Sequence, residues 1–379
     1  MLEFLSGLDR RRYQAFVVVP REGPFTERLN RIGIPFFVRA IHHWIPFGQR
    51  RDWSYLKRLR FATVGIRERV WSIAGLVDRL GIDIVYTNTI TAIEGALAAW
   101  RMNRPHVWHI RENIKGNQDI ASPLPRCLIS WIVGALSKTI IFNSHKTASN
   151  FRCSPLLSQV EVIHNGVDIS KYSASSSETV GSFLERQAPK DRRVVAIIGT
   201  ISPRKGLDVF LEAANRILSL FPDTLFLVIG DGEPNYVQKI QDRATRDGLN
   251  ASVRFLGRRE DICEILTLVD VLVVAADQEP FGRTVVEAMS ASIPVVSTRC
   301  GGPEEIIIDG LTGLLVPKRD PDAMASAVGA LLSDTERAKR MGEAGRRRAR
   351  DVFSSSVYVS GIERVLSEAV GSRDASTST

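Results

Sequence analysis

Residues 271–298 constrain the fold more than any other stretch of this chain. An unbroken apolar run, 271–276, is followed by Asp277, Gln278, Glu279 and Pro280. Phe281, Gly282, Arg283 and Thr284 then open a stretch of helical periodicity that contains Glu287, and a second apolar run follows at 293–297. Continuous apolar runs of this length read as strands buried on both faces, which is the habit of parallel sheets. A strand–loop–helix–strand unit places its loop at the carboxyl edge of such a sheet, where ligands bind. The expected helix start offers N–H groups and the positive end of a dipole, which suit a phosphate. Ionised carboxylates only accept hydrogen bonds, so Glu279 and Glu287 suit hydroxyls. A glutamate beside a helix start is also a common dipole partner. That would account for Glu279 but not for Glu287, which falls mid-helix. Phosphate plus many hydroxyls describes a nucleotide sugar.

The same alternation of apolar runs and amphipathic stretches continues through the whole chain, giving an α/β fold. Strands are expected at 14–19, 35–39, 83–88, 106–110, 138–142 and 160–163. A second set is expected at 193–199, 224–230, 252–256, 271–275, 293–297 and 313–316. At 379 residues, two cores are expected. A Ser-rich stretch beginning at Ser173 separates the sets. The expected plan is therefore a first domain at 1–172, a linker at 173–192 and a second domain at 193–353. A helix at 354–371 would pack back on the first domain, and 372–379 would be a disordered tail.

No apolar run reaches the length of a membrane span, and no signal peptide is apparent at the start. The four cysteines, Cys127, Cys153, Cys263 and Cys300, show no Cys-x-x-Cys pair, which favours a reducing compartment and disfavours structural zinc. Charge is uneven. Residues 1–172 hold 24 Lys and Arg against 13 Asp and Glu, while the remainder holds 26 against 29. A basic first half suits an anionic membrane surface; a solvated basic surface accounts for it as well. Arg50, Arg51, Lys57, Arg58, Arg60, Arg67 and Arg69 are interleaved with Trp53, Tyr55, Leu56, Leu59 and Phe61, a mixture suited to an interface. Nucleic acid is not an expected partner.

With these motifs in hand, the chain resembles the retaining GT-B glycosyltransferases of family 4. The resemblance is strongest over 194–317 and is carried by several motifs in order. These are Ile198-Gly199 with Pro203-Arg204-Lys205-Gly206, then Gly230-Asp231-Gly232, Phe255-Leu256-Gly257, the two-glutamate segment, Cys300-Gly301-Gly302-Pro303-Glu304, and Asp309-Gly310 through Pro317. Asn165-Gly166-Val167-Asp168 resembles the family's crossover between domains. The resemblance implies two Rossmann-like domains facing across a cleft. The second would bind a nucleotide-diphosphate sugar, and the first a glycan or lipid-linked acceptor.

The resemblance also implies roles. Glu287 would bond the donor ribose and Glu279 would sit by the transferred sugar. Backbone N–H groups around Phe281, Gly282, Arg283 and Thr284 would face sugar and diphosphate. Lys205 would contact the diphosphate beside Gly199. The family usually has Arg directly after that glycine; here it is Thr200, and Arg204 is the expected substitute. In the first half, the family often has a histidine at the strand end 106–112. His109 and Arg111 are both candidates, and two positions apart in a strand they face the same way. A core histidine is the plain alternative for His109.

The expected activity is hexosyl transfer with retention, without a metal or other cofactor. The expected setting is cytoplasmic, peripheral at the inner membrane face, in polysaccharide or glycolipid synthesis. Asp320 and Asp322 spell the Asp-x-Asp of metal-dependent transferases, but they precede an expected helix at 323–332 and suit capping better. Gly230-Asp231-Gly232 does not continue to a dinucleotide fingerprint, since position 235 is Asn. A sugar-nucleotide epimerase of the same architecture and a non-catalytic nucleotide-sugar-binding protein are the alternatives. The absence of Arg after Gly199 and one irregularity at the chain start support the latter. The first eight residues read as the end of a helix, directly before the strand at 14–19, so the first domain is expected to lack its first strand.

Overall fold

The computed structural model describes residues 1–45, 54, 57, 60–61, 63–113, 122, 124–151, 159–172 and 192–371. Cys153, most of the expected linker, the tail at 372–379, and Arg50, Arg51, Trp53, Tyr55, Leu56, Arg58 and Leu59 lie outside them. The chain divides into two compact units, Met1–Gly166 with Ser355–Thr379, and Val167–Ser354.

In the second unit six parallel strands, β7 (Val194–Ile198), β8 (Leu225–Ile229), β9 (Val253–Gly257), β10 (Val271–Val274), β11 (Val295–Thr298) and β12 (Leu314–Val316), form one sheet. Its order is β12-β11-β10-β7-β8-β9. Numbered within the unit this is 3-2-1-4-5-6 read from the far edge, the doubly wound order, whose switch point lies between β7 and β10. β8 and β10 are buried at every residue, which is why they read as unbroken apolar runs rather than alternating ones. Alternate residues serve opposite faces. Val195, Phe226, Val228, Val271 and Val273 pack beneath Leu207–Leu220 and Pro321–Ser333. Ala196, Leu227, Leu272 and Val274 join Val285, Val286 and Met289 on the other face.

In the first unit β3 (Val85–Thr87), β4 (His106–Ile110), β5 (Thr139–Phe142) and β6 (Val160–Val162) form a parallel four-stranded sheet in that order. β1 (Val17–Val19) pairs with β2 (Phe36–Val38) in a sheet of its own. Helix Leu2–Gly7 packs against helix Ser355–Gly371. Phe4, Leu5, Val359 and Ile362 share a core with Val107 and Ile141 of β4 and β5.

The crossover differs from the sequence expectation. Residues 167–172 fold with the second unit, not the first. Val167 donates its N–H to the Phe353 carbonyl at 2.9 Å and is 1% exposed in the second core, with Ile169 and Tyr172 packed beside it. A Ser-rich stretch marks where composition changes; it does not say which core the preceding apolar residues enter.

A candidate donor site at the switch point of the second sheet

The loop after β7 is held from both sides. On one side Gly199 donates its N–H to the Ile229 carbonyl at 2.9 Å, and Ile201 to the Asp231 carbonyl at 2.8 Å. A Cβ on Gly230 would lie 1.9 Å from the Gly199 oxygen, and one on Gly232 would lie 2.0 Å from the Ile201 oxygen. These glycines therefore serve close approach of two loops. On the other side Asp277 donates to the Arg204 carbonyl at 2.8 Å, and a Cβ on Gly206 would lie 2.1 Å from the Ala275 oxygen. A short turn, Pro203–Lys205, is thereby pressed against the end of β10.

This packing sets the charges. Lys205 Nζ meets Glu279 Oε2 at 2.5 Å, with both side chains about one-sixth exposed. The same ammonium lies 3.5 Å from where a Gly199 Cβ would be, beside the end of β7. Glu279 is pinned through its backbone: its N–H reaches the Cys300 carbonyl at 3.0 Å and its carbonyl accepts from Gly302 at 2.8 Å. A cation and an anion thus stand together at the carboxyl ends of β7 and β10. Arg204 reaches the Gln278 carbonyl at 3.5 Å, and Thr200 is exposed.

Helix Arg283–Ser290 begins four residues after Glu279. Its N-cap is Gly282 at φ 103°, a left-handed conformation that favours glycine, and no side chain caps it. Phe281 anchors the start, 3% exposed and edge-on to Phe353 at 6.0 Å. Glu287 lies one turn into the helix, its carboxylate accepting from Arg283 Nε at 2.8 Å and 13% exposed. Gly199, Arg204, Lys205, Glu279, Phe281, Gly282, Arg283, Thr284 and Glu287 all belong to this unit, on the loops around its switch point and the helix that follows.

Three further groups join them. Ser202 Oγ is buried with no hydrogen-bond partner among the described residues, one turn before Lys205. Tyr172 and Cys263 lie near Glu287. Burial, then the Glu287 charge, pushes the Tyr172 phenol well up. Ser202 was legible as a polar residue in the loop. Tyr172 was not, because only the fold brings it to the helix.

Asp320 and Asp322 lie elsewhere and are occupied. Asp320 Oδ1 accepts from Ala323 N at 2.9 Å, capping helix Pro321–Ser333. Asp322 pairs with Arg216 at 2.5 Å.

In the first unit His109 and Arg111 do face the same way, both against Tyr358. Their surroundings differ. His109 is 0% exposed on a strand buried at every residue. Its Nδ1 shares a hydrogen with the Tyr86 hydroxyl at 2.5 Å, and its Nε2 has no partner among the described residues. Burial holds its pKa well below the usual imidazole value, with the Arg111 charge adding to the effect. It lies beneath helix Ser355–Gly371, against the Tyr358 ring, in the setting of a core histidine. Arg111 is half-buried, donating to Asn88 Oδ1 at 2.8 Å and to the Tyr358 hydroxyl. Arg69 departs from expectation. It turns inward to the fully buried Glu94 at 2.7 Å, so it offers no charge to a membrane.

The comparisons with known proteins bear on the whole chain. The family model "Glycosyl transferases group 1" matches residues 183–348, and "Glycosyltransferase Family 4" matches residues 1–171. The chain belongs to the family 4 glycosyltransferases. The chain is 31% identical over 193 residues to D-inositol 3-phosphate glycosyltransferase of Corynebacterium urealyticum, covering 49% of this chain and 46% of that one. It is 31% identical over 229 residues to the GDP-mannose-dependent alpha-(1-6)-phosphatidylinositol monomannoside mannosyltransferase of Mycolicibacterium smegmatis, covering 58% and 59%. The matched stretch thus spans about half the length of these curated relatives. The solved structure of Anabaena Alr3699/HepE in complex with UDP and glucose superposes with a TM-score of 0.78 at 24% identity, covering 97% of this chain and 94% of that one. That likeness establishes the GT-B type of fold.

Proposed function

We propose that the chain transfers a sugar from a nucleotide-diphosphate sugar to a hydroxyl of a glycan or lipid-linked acceptor, with retention of anomeric configuration. The observation that carries this reading is the Lys205–Glu279 pair at the switch point between β7 and β10, directly before the helix that bears Glu287. A nucleotide diphosphate lying across this point would meet each group in turn. The ammonium of Lys205 and the N–H groups of the helix start would take the diphosphate. Glu287 would accept from the ribose hydroxyls, with Arg283 holding its carboxylate in place. Glu279, fixed through its backbone, would accept from hydroxyls of the sugar.

As the sugar–phosphate bond breaks, negative charge grows on the diphosphate. Lys205 would stabilise that charge more in the transition state than in the bound donor. The incoming hydroxyl would lose its proton to the departing phosphate on the same face, which accounts for retention without a protein nucleophile. The name of one relative, a GDP-mannose-dependent phosphatidylinositol monomannoside mannosyltransferase, supports a lipid-linked acceptor, and we place that acceptor at the inner face of a membrane.

Glu287→Ala is expected to weaken donor binding by about 1.5–3 kcal/mol for each hydrogen bond lost to a charged acceptor. Titration calorimetry with the nucleotide sugar checks this. Unchanged affinity in a folded variant would remove Glu287 from the ribose.

Transfer is also expected to survive EDTA, since Lys205 and a helix N-terminus would supply the positive charge. Loss of activity on chelation, restored by Mg²⁺ or Mn²⁺, would overturn the metal-free reading. Product analysis without an acceptor separates transfer from epimerisation, because an epimerase alters the sugar nucleotide alone.

A further inference from the structure

β4 and β5 send Trp108, Ile110, Ile140 and Phe142 to one face of the first unit's sheet. Three helices cover that face: Ile66–Arg79, Glu94–Arg101 and Arg126–Leu136. Their inner residues, among them Ile73, Ala96, Ile129 and Val133, are fully or nearly fully buried, so the apolar requirement of each helix is already met. Their outer faces nevertheless carry large aromatic rings. Trp71 is 48% exposed, Trp100 69% and Trp131 50%, whereas Trp44 and Trp108 in the same unit are 5% and 0% exposed. Half of the chain's six tryptophans therefore lie outward on one helical layer. Leu128 at 40% and Val64 at 53% add to the layer.

Single exposed apolar residues are ordinary, but a set of tryptophans on adjacent helices marks a contact surface. Its charge identifies the partner. Arg67, Arg79, Arg101 and Arg126 are exposed on these helices, against Glu68 and Asp78. The second and third helices expose no acid: Glu94 is buried and 127–137 contains no charged residue. Arg101 lies over the Trp71 ring at 3.5 Å, joining cation and aromatic at the surface. An apolar ring with a polar N–H edge, flanked by guanidinium groups, suits the boundary between anionic headgroups and acyl chains.

We propose that this layer, centred on Trp71, Trp100 and Trp131, is the surface by which the chain docks on an anionic bilayer. The proposal rests on the membrane setting inferred above for a lipid-linked acceptor, and it gives that setting an address different from the 50–69 segment alone.

The test is co-sedimentation of the full chain with phosphatidylcholine vesicles, with and without phosphatidylglycerol, together with quenching of tryptophan emission by brominated lipid. Wild type should prefer anionic vesicles, lose that preference as salt rises, and be quenched. Trp100→Ala with Trp131→Ala should lower partitioning at least about tenfold. Melting temperature and nucleoside diphosphate affinity should be unchanged, since both rings are exposed. Arg67→Glu with Arg126→Glu should erase the preference for anionic over neutral lipid. Equal partitioning of the tryptophan variant and wild type would overturn the docking surface while leaving the membrane setting intact. No vesicle binding by wild type would overturn both. A concentration-dependent dimer in ultracentrifugation, abolished by the tryptophan variant, would assign the layer to a second copy of the chain and overturn the proposal.

Discussion

Alanine in place of Lys205 is expected to lower turnover about 10²–10³-fold, the loss that follows removal of one preorganised group aimed at developing charge. The ammonium is about four-fifths buried, with Glu279 at 2.5 Å, so water would not replace it at full strength. Free nucleoside diphosphate should lose less affinity than the reaction loses rate, because the charge met by Lys205 is greatest as the bond breaks. The variant also leaves Glu279 without its partner, so the double variant Lys205→Ala/Glu279→Gln is the control for that repulsion. Glu279→Gln alone should reduce turnover while retaining diphosphate affinity. Steady-state rates and calorimetric affinities for the three variants separate these effects. Turnover of Lys205→Ala within a few-fold of wild type would remove the lysine from the reaction.

Gly206→Ala should cost about 3 kcal/mol or more of stability and weaken the donor site at the same time. Two effects add. Gly206 has φ +66°, a conformation that costs an L-residue about 1–2 kcal/mol. Its Cβ would also lie 2.1 Å from the Ala275 carbonyl oxygen, so the turn Pro203–Lys205 must move off β10, carrying Lys205 with it. Gly248→Ala is the matched control. It has φ +74° in the same unit with nothing within 4 Å of the added carbon, and should cost only the conformational part. Thermal melting and nucleoside diphosphate titration on both variants check the pair. Equal losses at the two positions would mean that the close approach to Ala275 does not hold the loop.

Among the described residues, strands such as β7, β8 and β10 were readable because each is a short, unbroken apolar run, the signature of parallel strands covered on both faces. The donor loops were readable for a related reason. Gly206, Gly230 and Gly232 sit where two backbones touch, and those contacts leave glycine as the residue that fits.

Elsewhere the sequence was silent. His109 lies in a strand whose neighbours are all apolar, and its pattern does not tell a histidine buried against Tyr86 from one facing a ligand. Its partners come from Tyr86 and from helix Ser355–Gly371, nearly 250 residues later. Arg69 reads as one of a run of surface cations. Its helical phase turns it inward to Glu94, a partner 25 residues away. Tyr172 follows the same rule, reaching Glu287 only through the crossover of residues 167–172 into the second core.

The central claim is that a nucleotide diphosphate binds at the switch point of the second sheet. Thermal shift with a panel of nucleoside diphosphates and their sugars tests it most directly. At 100 times its dissociation constant, a true donor stabilises by about 2.7 kcal/mol. The account predicts a rise in melting temperature with one base, retained with its free diphosphate, and much reduced in both Lys205→Ala and Glu287→Ala. A panel that stabilises nothing, or a rise that both variants keep in full, would contradict it.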